Sequence, residues 1–404
     1  MNSTLQDARI LLLADEISSI TDGGTERQIL QMVDICNQNG MQPQICVMRR
    51  TRWLTPQIAG CPVTHFQIET VTSARGIASL IQLTRWMRSQ KFDILQTFFS
   101  EANLVGPCAG RLAGIPLILG TRRNLNHYRA DDPHRLQLRA QRFVNLLVDQ
   151  IIANSEAVRE RIAKSEHVSL KRLSVVYNGI DLGQMKPAPQ MRASMRHNLG
   201  IDDNHILVGN ISGLRKIKGV QMFVDAAAQA YSTNSNLRFL LVGDGELMPE
   251  LGESIRNYGL KQIIRLVGPA EDVRPYLAAF DVAVLCSQAE GFSNSLLEYM
   301  ACGIPAIATD VGGNREALGS CGLLIRPETN ELVRAIQSMS NRETRNNFAS
   351  GALLRVKEFD VPIARERMGD LYSRFLNEKF ARTRLLRDSL SDTKLAQPFS
   401  EGTE

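Results

Sequence analysis

Short apolar runs alternate along the chain with longer amphipathic stretches. In the first half the runs are Ile10–Ala14, Gln44–Met48, Asp93–Thr97, Pro116–Gly120, Gln150–Ala153 and Leu173–Val176. In the second half they are His205–Ile211, Leu237–Val242, Ile263–Val267, Val282–Cys286, Ala306–Ala308 and Leu323–Ile325. Helical spacing of apolar residues lies between them, over 24–39, 76–90 and 101–113, and again over 219–231, 293–302 and 328–340. Continuous apolar runs separated by helices predict parallel strands buried on both faces. Two such series predict an α/β protein of two Rossmann-like, doubly wound domains. The pattern breaks at GIDLGQMKPAPQ, 179–190, where glycine and proline interrupt it. This gives a first domain of 1–184 and a second of 185–361. A further helix is expected over 362–380, with Pro362 in its first turn, packing back on the first domain. Residues 381–404 lack a sustained apolar period and are expected to form a disordered tail.

Composition changes this picture little. The 404 residues suit two domains, and 44% hydrophobic with 22% charged residues is ordinary for a globular protein. No apolar run approaches the roughly 18 residues that span a bilayer. Ile10–Ala14 is too short for an export signal and reads as a first buried strand. Seven cysteines, without a C-x-x-C pair, are then most simply reduced thiols in a cytoplasmic protein. The charge is uneven. Residues 1–184 carry 21 Lys and Arg against 16 Asp and Glu, which accounts for the whole net charge of +5. Six arginines, Arg122, Arg123, Arg129, Arg135, Arg139 and Arg142, fall within 122–142 beside Asp131 and Asp132. Two accounts stand side by side: a solvated helix face with its loop, or a surface for an anionic acceptor or anionic membrane surface.

Candidate chemistry follows from where ligands bind in open parallel sheets, beyond the carboxyl ends of the strands. With two domains the expected site is the cleft between two sets of such ends. After the run Val282–Cys286 comes EGFSNSLLE, 290–298, two glutamates eight apart with a helix starting between them. Free backbone N–H groups and the positive end of the helix dipole near Ser293–Leu296 make a seat for phosphate. Gly291 permits close approach of the backbone to a ligand. Glu290 can reach a sugar lying against the helix start, and Glu298 can accept from two ribose hydroxyls. For the two glutamates alone, a capped helix with two surface acids is the simpler account.

The surroundings carry more. SQAEGFSNSLLEYMACGIPAIATDVGGNREAL, together with LLVGDGEL upstream, resembles the donor-site signature of the retaining glycosyltransferases of family 4. That resemblance implies the GT-B fold, with two Rossmann-like domains facing across a cleft. It implies that Glu290 contacts the donor sugar, Glu298 the ribose, and the backbone of Phe292, Ser293, Asn294, Ser295 and Leu296 the diphosphate, with Val267 near the base. GNISGLRKIKG, 209–219, is similar to the segment that sets a basic pair on the diphosphate. Lys218 matches it, whereas the usual arginine five residues earlier falls on Gly213; Arg215 is the substitute within the loop. GGTERQIL resembles the glycine-rich loop of the first domain, with Gly23 and Gly24 near the diphosphate or acceptor. VVYNGID, 175–181, is similar to the end of that domain, where Asn178 and Asp181 are expected to be structural. Glu101 stands where the family often carries a histidine. Arg122, Arg123 and His127 complete the acceptor-side candidates.

Absent motifs also discriminate. No two aspartates stand at D-x-D spacing, so the carboxylate pair that often chelates a metal with a nucleotide is missing, and no metal site is expected. There is no Walker A sequence, no G-x-S-x-G, and no G-x-G-x-x-G at 243–245. The reading is transfer of a hexose-type sugar from a UDP- or GDP-sugar, a substrate and not a cofactor, to a hydroxyl acceptor, with retained anomeric configuration. The resemblance implies a glycan or lipid-linked acceptor, no nucleic acid partner, and a cytoplasmic or peripheral place at the inner face of the membrane. Rival readings are a sugar-nucleotide epimerase, which turns over donor without acceptor, and a catalytically silent binding subunit. A nicotinamide dehydrogenase is more distant.

Overall fold

A computed structural model describes residues 5–17, 24–49, 55, 57–68, 73–124 and 135–395. The first sheet holds β1 (Arg9–Ala14), β2 (Gln42–Val47), β3 (Gln57–Ile58), β4 (Cys61–His65), β5 (Ile94–Phe98), β6 (Leu117–Arg122), β7 (Gln150–Ala153) and β8 (Leu173–Val175). Its order is β3-β4-β2-β1-β5-β6-β7-β8. The pairings of β1 with β2 and β5, β2 with β4, and β5 with β6 are parallel, and β3 meets β4 antiparallel. The second sheet holds β9 (Ile206–Ile211), β10 (Leu237–Val242), β11 (Ile264–Leu266), β12 (Val282–Leu285), β13 (Ala306–Thr309) and β14 (Gly322–Ile325), all parallel, in the order β11-β10-β9-β12-β13-β14.

That second order is the doubly wound 3-2-1-4-5-6 arrangement, whose strand direction of travel reverses between β9 and β12. The first sheet repeats it with β4-β2-β1-β5-β6-β7, reversing between β1 and β5. Central strands such as β1 (RILLLA) and β12 (VAVL) are buried on both faces, so their sequences are continuously apolar. The core of the second sheet lies on its two faces, one built around Phe280, Leu296 and Tyr299, the other around Phe223, Val224 and Phe239. Strands β3 and β4 escape the apolar-run reading because β4 (CPVTH) is half exposed along most of its length.

The chain forms two compact units. One comprises Met1–Thr121, Pro133–Ile152 and Arg365–Glu404, the other Arg122–Asp132 and Ala153–Ala364. The division thus falls at Ile152, earlier than the glycine- and proline-rich joint at 179–190. The reason is hydrogen bonding: Glu156 and Ala157 donate their amides to Glu316 at 2.7 and 2.8 Å, and Asn178 bonds to Phe292 and Asn294. The final helix, Val361–Leu395, continues beyond 380 into the stretch expected to be a disordered tail, so that expectation is corrected for 381–395. Residues 396–404 lie outside the described residues. Within the first unit this helix buries Tyr372 against Gln96 and Met32, and sets Lys379 Nζ 2.8 Å from Asp149 Oδ1. All seven cysteines are free. Among the described residues no helix is long and apolar enough to cross a membrane.

Candidate active site

The reversal point of the second sheet lies at the carboxyl ends of β9 and β12, and the loops that leave those ends are joined. Gly219 makes the junction possible. Its φ is +63°, and a Cβ there would stand 2.0 Å from the carbonyl oxygen of Cys286. The Gln288 amide donates to Ile217 O at 2.8 Å, and Cys286 Sγ donates to Lys218 O at 3.3 Å. The two loops are thereby fixed in register, and Lys218 meets Glu290. Lys218 Nζ donates to Glu290 Oε1 at 2.6 Å, and Ser287 Oγ donates to the same oxygen at 2.6 Å. The lysine and glutamate side chains are 22% and 10% exposed, so the pair is largely withdrawn from water. Cys286 beside it is no nucleophile, because burial pushes its thiol up to about 12.

The helix Asn294–Ala301 follows β12. Ser293 caps it from an extended backbone conformation, its Oγ accepting from the Leu296 amide at 3.4 Å. The remaining first-turn amides have no partner within the helix by its geometry. Glu298, expected at a ligand or on the surface, is 4% exposed, which removes the surface-acid account. Tyr299 OH accepts from the Ile211 amide at 2.9 Å and fixes the helix to the end of β9. Phe292 packs between Tyr177 and Phe359, at centroid distances of 4.9 and 5.2 Å.

Gly291 is required by the packing of the chain itself. A Cβ there would lie 1.9 Å from Arg123 O. Asn154 Nδ2 donates to that same carbonyl at 3.1 Å, and Gly313 N donates to Gly291 O at 3.1 Å. Asn178 Nδ2 donates to Phe292 O at 3.0 Å and to Asn294 Oδ1 at 2.7 Å, while its own Oδ1 accepts from the Arg123 guanidinium. Segments 122–124, 153–157 and 178 therefore brace the turn before the helix Asn294–Ala301. Sequence reading took Asn178 as structural and passed over Asn154, Ser287 and Glu316. Only the position of Glu316 in the glycine turn VGGNRE gave any signal.

Gly213, where the usual arginine is missing, is half buried, and the Arg215 guanidinium lies across it. A Cβ at Gly213 would be 3.3 Å from Arg215 Nε. The Arg215 side chain is otherwise exposed. Val267 is partly buried at the end of β11, and Gly268 beside it accepts from the Gly243 amide at 2.9 Å.

Each described acceptor-side candidate has a partner within its own unit. Arg122 forms a buried ion pair with Glu166 at 3.1 Å. Arg123 is spent on Asn178, and burial lowers its guanidinium to about 9, so it stays charged at neutral pH. Glu101 follows β5, where its Oε2 accepts from Arg49 Nη1 at 2.7 Å. Gly24 opens the helix Gly24–Gln38. Gly23, His127 and Arg129 lie outside the described residues. At the reversal point of the first sheet, the start of helix Ala102–Ala113 already holds a carboxylate. Asp15 accepts from the amides of Ala102 and Glu101 at 2.6 and 3.1 Å, and burial raises its carboxyl to about 6. An acid directly after the β1 run is the sequence signal that was missed.

Residues 22–184 match the family model described as Glycosyltransferase Family 4, and residues 203–342 match the one described as Glycosyl transferases group 1. The chain is similar to the Escherichia coli UDP-Gal:alpha-D-GlcNAc-diphosphoundecaprenol alpha-1,3-galactosyltransferase, 28% identical over 252 residues, 60% of this chain and 64% of that protein. It is also similar to the Bacillus anthracis N-acetyl-alpha-D-glucosaminyl L-malate synthase, 32% identical over 186 residues, 45% of this chain and 48% of that protein. In both cases the chain spans less than two thirds of the relative's length. Among solved structures, Anabaena Alr3699/HepE in complex with UDP superposes with a TM-score of 0.79 at 23% identity, covering 91% of this chain and all of that one. Sucrose-phosphate synthase from Thermosynechococcus elongatus gives 0.77 at 19% identity, covering 92% of this chain and all of that one. These likenesses carry the fold: two Rossmann-like domains of GT-B type.

Proposed function

We propose, for a chain that belongs to glycosyltransferase family 4, that it moves a sugar from a nucleotide-sugar donor to a hydroxyl of a glycan or lipid-linked acceptor with retention of anomeric configuration. The observation that carries the reading is the Lys218–Glu290–Ser287 contact beside a helix start, at the reversal point of the second sheet. Both groups can act without parting. An ammonium has three N–H donors, so Lys218 can keep Glu290 on one and offer the others to a diphosphate. Glu290 Oε1 is held twice, which leaves Oε2 to accept from sugar hydroxyls.

The reaction then needs mainly position and charge. The bond from the anomeric carbon to the diphosphate oxygen breaks, and negative charge gathers on the diphosphate. Lys218, Arg215 and the helix start at Ser293–Ser295 stabilise that charge. The acceptor hydroxyl oxygen bonds to the anomeric carbon from the same face, and its proton passes to the departing phosphate oxygen. Glu290 offsets positive charge developing on the sugar. Glu298, in the next turn of the helix, holds the ribose. Among the described residues of the first unit, the helix start at Ala102 is occupied by the chain's own Asp15 carboxylate.

UDP is favoured over GDP, since HepE was solved with UDP and the Escherichia coli relative is named for UDP-galactose. Saturating UDP, at about a hundred times its Kd, is expected to stabilise the protein by about 2.7 kcal/mol. A thermal-shift comparison of UDP with GDP reads this directly; a melting point moved by neither would sink the proposal. Glu298→Ala is expected to weaken UDP binding about tenfold or more, because a hydrogen bond to a charged group contributes about 1.5–3 kcal/mol.

Metal dependence tests the charge assignment separately. With Lys218, Arg215 and the helix start supplying positive charge, EDTA is expected to leave most turnover intact. Complete loss on chelation, restored by magnesium or manganese, would move that role to an ion.

A further inference from the structure

The end of β12 is held by side chains where its ladder stops. On one side the last paired residues are Ala283 and Gly209 of β9, on the other Leu285 and Ala308 of β13. Beyond those points the strands part, and buried backbone groups still need partners. Buried polar side chains supply them from both neighbours. Asn210, near the end of β9, is 1% exposed and donates through Nδ2 to Val284 O at 2.9 Å. Its Oδ1 accepts from Ser212 Oγ at 2.7 Å, which sets the orientation of the amide. Thr309, the last residue of β13, is 0% exposed and donates through Oγ1 to Ser287 O at 2.6 Å. Asn314 Nδ2 in turn donates to Thr309 O at 3.0 Å. A valine has nearly the shape of threonine, so what Thr309 adds to this apolar strand end is a donor.

Each clamp continues one bond further, and the two end on different members of the ion pair. From Thr309 the chain of bonds passes to Ser287, whose Oγ donates to Glu290 Oε1 at 2.6 Å. From Asn210 it passes to Cys286 Sγ, which accepts from Nδ2 at 3.6 Å and donates to Lys218 O at 3.3 Å. We propose that Thr309 and Asn210 are positioning residues for sugar transfer: Thr309 sets the Glu290 carboxylate through Ser287, and Asn210 sets Lys218 through Cys286. A misplacement of about 1 Å can cost about a hundredfold in rate, so groups that meet the sugar and the diphosphate need support of this kind. The assignment rests on the glycosyl transfer proposed above. It adds to that reading two strand-end residues that stand behind the pair, and it divides them: the β13 arm acts on turnover and the β9 arm on nucleotide binding.

The experiment combines kinetics with crystal structures of the full chain. UDP release from UDP-glucose in water serves as the turnover assay, since it needs no acceptor. Thr309→Val and Ser287→Ala are each expected to lower kcat about tenfold, the lower end of what a hydrogen bond to a charged group contributes. KM for UDP-glucose and the affinity for UDP should stay within about twofold, because Glu290 matters most in the transition state. Thr309→Ser keeps the hydroxyl and should restore most of the rate. In a Glu290→Gln background Thr309→Val is expected to cost no more than about a further twofold, since residues that act through one group do not add. Asn210→Ala is expected to weaken UDP binding about threefold or more, as loss of a hydrogen bond does. In the crystal, Thr309→Val should carry Ser287 Oγ beyond about 3.6 Å from Glu290, out of hydrogen-bond range. If Thr309→Val does not fold, Ser287→Ala, which removes a hydroxyl without adding bulk, decides the kinetics. Equal losses with and without Glu290, no rescue by serine, UDP binding unchanged in Asn210→Ala, or a Thr309→Val crystal that keeps the Ser287–Glu290 bond would each overturn the proposal. Should the wild type neither bind UDP nor turn over UDP-glucose, the reading above falls, and the crystal structures decide this placement by themselves.

Discussion

Lys218→Ala and Glu290→Gln are each expected to lower kcat about a hundredfold, with the double variant little worse than either alone. Removing one preorganised donor from a site of developing charge costs about 10²–10³ in rate. The two side chains meet at 2.6 Å, share Ser287 through Glu290 Oε1, and are largely shielded from water. Groups so joined act as a unit, and their losses do not multiply. Ground-state binding separates them. Lys218→Ala leaves a shielded Glu290 carboxylate beside the diphosphate, and UDP affinity is expected to fall at least about tenfold, or 1.4 kcal/mol. Glu290→Gln keeps the lysine and should change UDP affinity little, because its charge matters most in the transition state. Kinetics and UDP titration on the three variants decide it. A double variant whose loss is the product of the single losses would mean that the two residues work independently.

Gly219→Ala is expected to destabilise the protein by about 3 kcal/mol or more. A left-handed backbone alone costs an L-residue about 1–2 kcal/mol. Here the added methyl would also stand 2.0 Å from Cys286 O, a backbone atom that cannot swing aside. The control is Gly259→Ala in the same unit, where φ is +68° but nothing lies within 4 Å. It should show the backbone cost only, about 1–2 kcal/mol. Urea or thermal unfolding of both variants gives the difference, with each kcal/mol worth about 2–4 °C in a domain of this size. Equal losses would show that the approach of the two loops is not what requires glycine at 219.

The strands were legible in the sequence because strands buried on both faces are written as uninterrupted apolar residues. Leu237–Val242 was read with its observed bounds, and His205–Ile211 with an error of one residue. The same rule hid β4, whose half-exposed residues make no such run. It also ended the last helix too soon, since a polar helix has no apolar period to follow. The sequence offered the candidate donor-site residues as types and positions. It did not offer their partners. Lys218 and Glu290 are 72 residues apart, and each was given a separate ligand to hold where the structure gives them each other. Gly291 was read as letting the backbone approach a ligand closely; that Arg123 O lies where its Cβ would stand was not legible. Asn178 and Glu316 bond across more than 110 residues, and such pairings leave no trace in local spacing. Asp15 is the instructive case: a single acid after a strand is unremarkable in sequence, yet it occupies the helix start at the reversal point of its sheet.

The first unit is discontinuous, and its last piece matters to its core. Tyr372 is fully buried under Gln96, Lys379 pairs with Asp149, and Arg365 pairs with Asp34 at 2.6 Å. During synthesis the residues of β1 to β7 leave the ribosome long before these partners do. Domains generally fold as units in the order they emerge. In this chain the expected order is inverted: the continuous stretch 153–364 is complete first, while the opening sheet lacks the Tyr372 and Lys379 contacts to Gln96 and Asp149 until residues beyond Arg365 arrive. A nascent chain stalled before that point would carry a finished second unit and an open first one, which is the form a chaperone would meet.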